Sequence, residues 1–81
     1  MKLFLICQKK ISGYDTYDSA VVAALSEDDA RNMHPNGGNL KTDNDEWGSW
    51  VSIDYMHHVK VEYLGETEID RGVICASFNA G

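Results

Sequence analysis

Proline, cysteine and basic side chains are scarce in this sequence, and long apolar runs are absent. The 81 residues include one proline, two cysteines, and seven lysines and arginines against thirteen acids. No apolar run approaches the roughly 18–20 residues of a membrane span, so no membrane segment is predicted. The apolar start of the chain is too short for a signal peptide and predicts a first strand instead. Because 43% of the residues are hydrophobic, a single domain over residues 1–81 can fold without disulfides.

The two cysteines, Cys7 and Cys75, both fall inside predicted strands. This placement predicts two small, buried, reduced and metal-free thiols in a reducing compartment. A disulfide between neighbouring strands would need an oxidising compartment, which nothing else in the sequence indicates.

The net charge of −6 is concentrated in the second half of the chain. Residues 1–40 carry four basic and five acidic side chains, whereas residues 41–81 carry three basic and eight acidic ones. A phosphate backbone would be repelled, so direct nucleic-acid binding is not expected. An acidic surface suits a protein partner with a basic surface, although acidic surfaces also simply aid solubility.

Apolar runs and helix boundary signals predict an α+β fold. Strands are expected near residues 2–8, 19–25, 59–64 and 73–78. Ser26 is a suitable N-cap and Pro35 cannot continue a helix, so a short helix is predicted over residues 27–34. The order is ββαββ in a small antiparallel sheet of four to five strands. Residues 46–58 fit neither the helix nor the strand period, and a short strand or an extended segment is predicted there.

The predicted strands are expected to pair as two hairpins. Too few residues separate the first two strands for a parallel crossover, so they should be antiparallel neighbours. Residues 65–72 are interpreted as the connection of a second hairpin, between the last two strands.

No arrangement of side chains predicts catalysis, a metal site or a cofactor. The sequence has no Cys-x-x-Cys motif, and the neighbouring His57 and His58 would point to opposite faces of a strand. The residues from Asp43 to Glu46 lack the glycine and the distal glutamate of an EF-hand. The chain is therefore predicted to be non-enzymatic.

Two acidic-aromatic clusters are the candidate recognition surface, because aromatic side chains beside carboxylates are typical of binding hot spots. Trp50 is expected in the core, while the interpretations of Trp47 as core or surface are evenly balanced. The candidate partner-binding residues are Asp43, Asp45, Glu46, Trp47, Tyr14, Asp15 and Tyr17, with Asp18 beside them.

Several segments resemble a group of small, uncharacterised bacteriophage proteins. They are Met-Lys-Leu-Phe-Leu-Ile at the start, GYDTYDSAVV over residues 13–22, SEDDARNMHP over 26–35, VEYLGE over 61–66 and ASFNAG over 76–81. The resemblance covers most of the chain outside residues 37–58, and it implies no activity and no functional residue. By analogy, small acidic phage proteins are often inhibitors of host or defence proteins, including anti-CRISPR proteins.

The expected function is therefore that of a binding protein of the host cytoplasm. It would inhibit a host or defence protein through the candidate recognition surface formed by the two acidic-aromatic clusters. One alternative is an oligomer that binds and sequesters a small ligand between subunits. Another is a structural or virion accessory protein. A homodimer is expected, because one short helix covers little of a four-stranded sheet.

Overall fold

The computed structural model, which describes residues 1–11, 13, 15–40 and 48–79, contains one antiparallel sheet and one short α-helix. The predicted α+β class is confirmed at this level, with four strands in the described part of the chain. The elements are β1 (Lys2–Cys7), β2 (Thr16–Ala24), α1 (Glu27–Arg31), a 3-10 helix (Ile53–His58), β3 (Lys60–Glu66) and β4 (Gly72–Asn79).

The strands lie in the order β3-β1-β2-β4. The predicted hairpin of β1 and β2 is confirmed, and its register runs from Lys2 opposite Ala24 to Cys7 opposite Ser19. The predicted pairing of β3 with β4 is wrong, because these strands form the two opposite edges of the sheet. β3 pairs with β1 and β4 pairs with β2, both antiparallel.

The connection between β3 and β4 crosses the end of the sheet where β1 begins. Strands lie about 4.8 Å apart, so three steps span roughly 14 Å, which residues 67–71 can cover. The backbone of Thr67 exchanges hydrogen bonds with Met1, at 2.9 and 3.1 Å. Arg71 donates two hydrogen bonds, of 2.7 and 2.6 Å, to the carboxylate of Asp29. These contacts hold the connection against β1 and α1.

Helix α1 begins as predicted and ends earlier than predicted. The Ser26 hydroxyl accepts a hydrogen bond from the Asp29 backbone N–H at 3.1 Å, and Asp29 in turn accepts one from the Leu25 N–H. The helix ends at Arg31 rather than at residue 34. The chain turns away there because Met33 forms an isolated β-bridge with Asn39.

Of the short strand or extended segment predicted before β3, the strand is wrong for the described residues 48–58. Trp50 and Val51 are consecutive and both are 2% exposed, which is incompatible with the alternation of a half-buried strand. They join the core as irregular chain, and the 3-10 helix Ile53–His58 follows them. The predicted burial of Trp50 is confirmed.

One face of the sheet carries the core, and among the described residues the other face is open. The core consists of Phe4, Ile6, Ala20, Val22, Ala24, Ala30, Met33, Leu40, Trp50, Val51 and Val59. Cys7 and Cys75 lie on the open face, which neither α1 nor the 3-10 helix covers. Cys75 is exposed and Cys7 is half-buried, so the predicted burial of both thiols is wrong. Both cysteines are free, and β2 separates their strands.

Candidate functional site

The start of β2 and the end of β4 form an aromatic and acidic surface at one end of the sheet. Tyr17 lies opposite Phe78 and Thr16 lies opposite Asn79 in the β2–β4 register. The Tyr17 and Phe78 rings are in contact, with 4.7 Å between centroids. Phe78 is 45% exposed, so one edge of this aromatic pair is available to a partner.

Tyr17 is fixed from several sides. Its ring also packs edge-on against the buried His34, with 5.9 Å between centroids. Its backbone N–H donates to the Ser49 carbonyl at 2.8 Å. Its own carbonyl accepts a hydrogen bond from the Gln8 side-chain amide at 2.9 Å. The half-buried ring therefore forms a rigid base for the exposed Phe78.

Two exposed acidic residues lie next to the end of β4, close in the chain to the aromatic pair. Asp15 precedes β2 with a φ of 59°, a left-handed conformation that aspartate tolerates better than most residues. Its backbone N–H donates to the Asn79 carbonyl. The Asp18 carboxylate accepts a hydrogen bond from the Asn79 side-chain amide at 3.0 Å. Asn79 thus holds both acidic residues next to the end of β4.

The structure brings together part of the predicted site. Asp15, Tyr17 and Asp18 all lie at or just before the start of β2, next to the end of β4. The other predicted site residues lie outside the described residues: Tyr14, Asp43, Asp45, Glu46 and Trp47. The grouping of the two acidic-aromatic clusters into one surface therefore stays a prediction.

Phe78 and Asn79 are contributors that the sequence reasoning missed. Both stand more than 60 residues from Asp15 in the chain, and only the β2–β4 register brings them close. The only signal in the sequence was Phe78 itself, an aromatic residue near the end of a strand that carries no charge. This signal could not link Phe78 to Tyr17, because the sequence analysis paired β4 with β3 rather than with β2.

Within the described part of the chain, no group of three or more His, Cys, Asp or Glu side chains is arranged to hold a metal ion. No described helix is long and apolar enough to cross a membrane. No protein-family model, curated protein or solved structure matches this chain.

Proposed function

We propose that this chain is a non-enzymatic binding protein that inhibits a host or defence protein in the host cytoplasm. The surface formed by Asp15, Tyr17, Asp18, Phe78 and Asn79, called here the acidic-aromatic surface, would contact that partner. The partner would present basic side chains to the two carboxylates and an apolar recess to Phe78. The bacteriophage resemblance motivates the class of partner, and the surface motivates the mode of binding.

The exposure of Phe78 at the same end of the sheet as two exposed acidic residues is the observation that carries the proposal. An aromatic ring supported by a rigid neighbour loses little conformational freedom when it is buried by a partner. The flanking acids would align a basic partner and speed its association. The net charge of −6 would also attract a positively charged partner over a longer range.

Capture from infected-host lysate with mass spectrometry would first identify the partner. The test is then binding of the purified partner to Asp15→Asn, Asp18→Asn and Phe78→Ala variants. Asparagine keeps the shape of aspartate and tolerates the left-handed backbone at position 15. The matched control is Asp54→Asn, which removes an exposed acid from the 3-10 helix.

We expect the Phe78→Ala variant to weaken binding by at least about tenfold, as loss of a hot-spot side chain does. The two Asn variants should reduce both the affinity and its salt dependence, while Asp54→Asn should bind as the parent does. A parallel variant with Asp43, Asp45 and Glu46 changed to lysine tests the other predicted cluster. Unchanged binding by all of these variants would contradict the proposal.

Salt dependence separates this proposal from its alternatives. Binding to a basic protein should weaken steeply with ionic strength, whereas sequestration of a neutral ligand should not. A structural or virion accessory protein would be recovered with particles rather than with a host protein.

A homodimer is a second proposal, and the charge pattern of the two edge strands supports it. The β3 edge carries Lys60, Glu62 and Glu66, and charged side chains discourage pairing with another strand. β4 spans eight residues without a single charge. Two copies could therefore join β4 to β4 in antiparallel pairing without opposing like charges, despite the charge of −6 on each chain.

Sedimentation of Ile74→Lys against the parent tests the dimer. Ile74 is 39% exposed on β4, and a lysine there would charge the edge in both copies. The control is Ile69→Lys, at a 53% exposed position in the connection between β3 and β4. The first variant should weaken dimerisation by on the order of tenfold or more, and the second should not. A parent that remains a 9.0 kDa monomer at high concentration would exclude the dimer.

A further inference from the structure

A lysine-lined cleft lies at the same end of the sheet as the acidic-aromatic surface, but on the side of β1 and β3. Its volume is about 520 Å³, which falls within the usual range for small-molecule sites. The described residues that line it are Cys7, Gln8, Lys9, Lys10, His58 and Lys60. None of these is a carboxylate, although acids outnumber bases almost two to one in the chain.

The cations of this cleft are not neutralised within the described residues. Both arginines of the chain pair with acids of α1: Arg31 with Glu27 and Asp28, and Arg71 with Asp29. The described ion pairs include none of the three cleft lysines. Glu62 lines an adjoining depression that shares Cys7 and Lys60 with the cleft, so one described carboxylate lies just outside the cleft lining. Three lysines therefore line one concavity, and the described residues of its lining include no carboxylate.

Partly buried hydrogen bonds of Gln8 shape the segment that carries two of these lysines. Gln8 is 4% exposed, and its side-chain nitrogen donates to the carbonyls of Ile11 and Tyr17 at 3.0 and 2.9 Å. Its side-chain oxygen accepts from the Ile11 N–H at 2.9 Å. Gln8 thus closes the turn that contains Lys9 and Lys10. The backbone that carries Lys9 and Lys10 is therefore held in place by Gln8.

One aromatic ring, that of His58, lines the cleft, and the rings of Tyr55 and His57 border it by contacting the lining residues Lys10 and His58. The Lys10 ammonium lies 4.9 Å from the centroid of the Tyr55 ring. The rings of His57 and His58 lie 4.4 Å apart, and His58 lines the cleft. A ligand that combines an anionic group with a flat ring would find partners for both parts here.

We infer that this cleft binds a small organic phosphate of nucleotide size. Phosphate is favoured as the anion because its charge and several acceptor oxygens can engage more than one lysine at once. A free phosphate ion would leave most of a cleft of this size unfilled. A nucleic-acid strand would extend over the acidic remainder of the chain and be repelled.

The test is titration of isotope-labelled full-length protein with pyrophosphate and with ADP, followed by NMR at matched ionic strength. Both probes should shift the backbone signals of Lys9, Lys10 and Lys60 saturably, with a dissociation constant of about 1 mM or below. ADP should bind more tightly than pyrophosphate, because its ring can reach the aromatic border. Equal affinities for ADP and pyrophosphate would show that the ring of ADP makes no favourable contact. That result would contradict the inference that the ligand is of nucleotide size.

Lysine-to-glutamine variants identify the site. Lys9→Gln, Lys10→Gln and Lys60→Gln should each weaken binding about two- to fivefold, as loss of a partly exposed ion pair does. The triple variant should weaken it by on the order of tenfold or more. Lys2→Gln, at an exposed lysine on the opposite end of β1, is the matched control and should bind as the parent does.

Besides equal affinities for the two probes, two further results would overturn the inference. One is the absence of saturable shifts with either probe, and the other is equal weakening in Lys2→Gln and the cleft variants. All four lysines are exposed, so these substitutions should leave the fold intact, which the NMR spectrum itself reports. Because the readout uses no protein partner, failure here is distinguishable from failure of the proposed partner binding.

Discussion

Arg71 and Asp29 are joined by two hydrogen bonds of 2.7 and 2.6 Å across 42 residues of sequence. The pair links the connection before β4 to the first turn of α1. The Asp29 side chain is 19% exposed and that of Arg71 is 39% exposed, so solvent screens the pair only in part. The Arg71 guanidinium holds the pKa of the Asp29 carboxyl below its ordinary value of 3.8, against the opposing effect of burial.

Replacing Arg71 by alanine should lower the free energy of unfolding by roughly 1 kcal/mol at neutral pH, after allowance for solvent screening. Urea unfolding measures this loss. The matched control is Arg31→Ala, because Arg31 contacts the exposed Glu27 and Asp28 at 3.3 and 3.5 Å. Such a surface pair contributes about 0.5 kcal/mol or less. Equal losses in the two variants would contradict a special role for Arg71.

The contribution of this pair should depend on pH in a defined direction. Because the pKa of Asp29 is lower in the folded state, its stabilisation is complete above pH 3.8 and is lost as the pH falls through the folded-state pKa. The difference in stability between the parent and Arg71→Ala should therefore be constant near neutrality and shrink in acid. Unfolding curves at several pH values between neutrality and strong acid measure it. A difference that grew in acid would be inconsistent with this pairing.

Removing the cap of α1 should destabilise the protein measurably. In Ser26→Ala, the Asp29 N–H loses its 3.1 Å hydrogen bond, at a cost of about 1 kcal/mol. Ser52 occupies the corresponding position before the 3-10 helix, and its side chain makes no capping hydrogen bond. Ser52→Ala is therefore the matched control and should change the free energy of unfolding very little. Thermal or urea unfolding of both variants decides the point.

Replacing Gln8 by leucine should cost roughly 2–3 kcal/mol, because it deprives Ile11 and the Tyr17 carbonyl of three hydrogen bonds at a largely buried position. Lys9→Leu, at the exposed neighbouring position, should change stability by less than about 0.5 kcal/mol. Urea unfolding gives both values. A Gln8→Leu protein as stable as the parent would show that the turn does not depend on this side chain.

Cys75 should react with a thiol reagent in the native protein. Its side chain is exposed on the open face of the sheet, so labelling of the Cys7→Ser variant should proceed within about tenfold of its rate in denaturant. If two copies pair through β4, the rate should fall as the protein concentration rises. Slow labelling at every protein concentration would instead support the prediction from the sequence that the Cys75 thiol is buried.

The sequence predicted the elements better than their arrangement, because the two depend on different information. Ser26 and the alternation of Val61 and Tyr63 are local signals, and they located α1 and β3 to within a few residues. The pairing of β3 is not local. The short segment of residues 67–71 is compatible both with a hairpin and with a crossing of the sheet end, and nothing within it distinguishes the two.

The same limit applies to the candidate site. Asp15 and Tyr17 could be identified because they are close in sequence and of the right chemical types. Phe78 could not, because it reaches Tyr17 only through the β2–β4 register. The burial of Cys75 was wrongly predicted for a related reason: an apolar neighbourhood in sequence does not show which face of a sheet the helix covers.

The interior position of β1 affects how the chain must fold as it is made. β2 ends at residue 24 and β3, the second neighbour of β1, begins at residue 60. At usual elongation rates the hairpin of β1 and β2 therefore leaves the ribosome about 2–7 s before β3. A hairpin alone is marginally stable in water. For that interval the nascent chain holds two uncovered apolar strands, and the sheet is completed only when its outermost strands arrive. Such late pairing between distant segments slows folding and lengthens the time during which the young chain needs protection from aggregation.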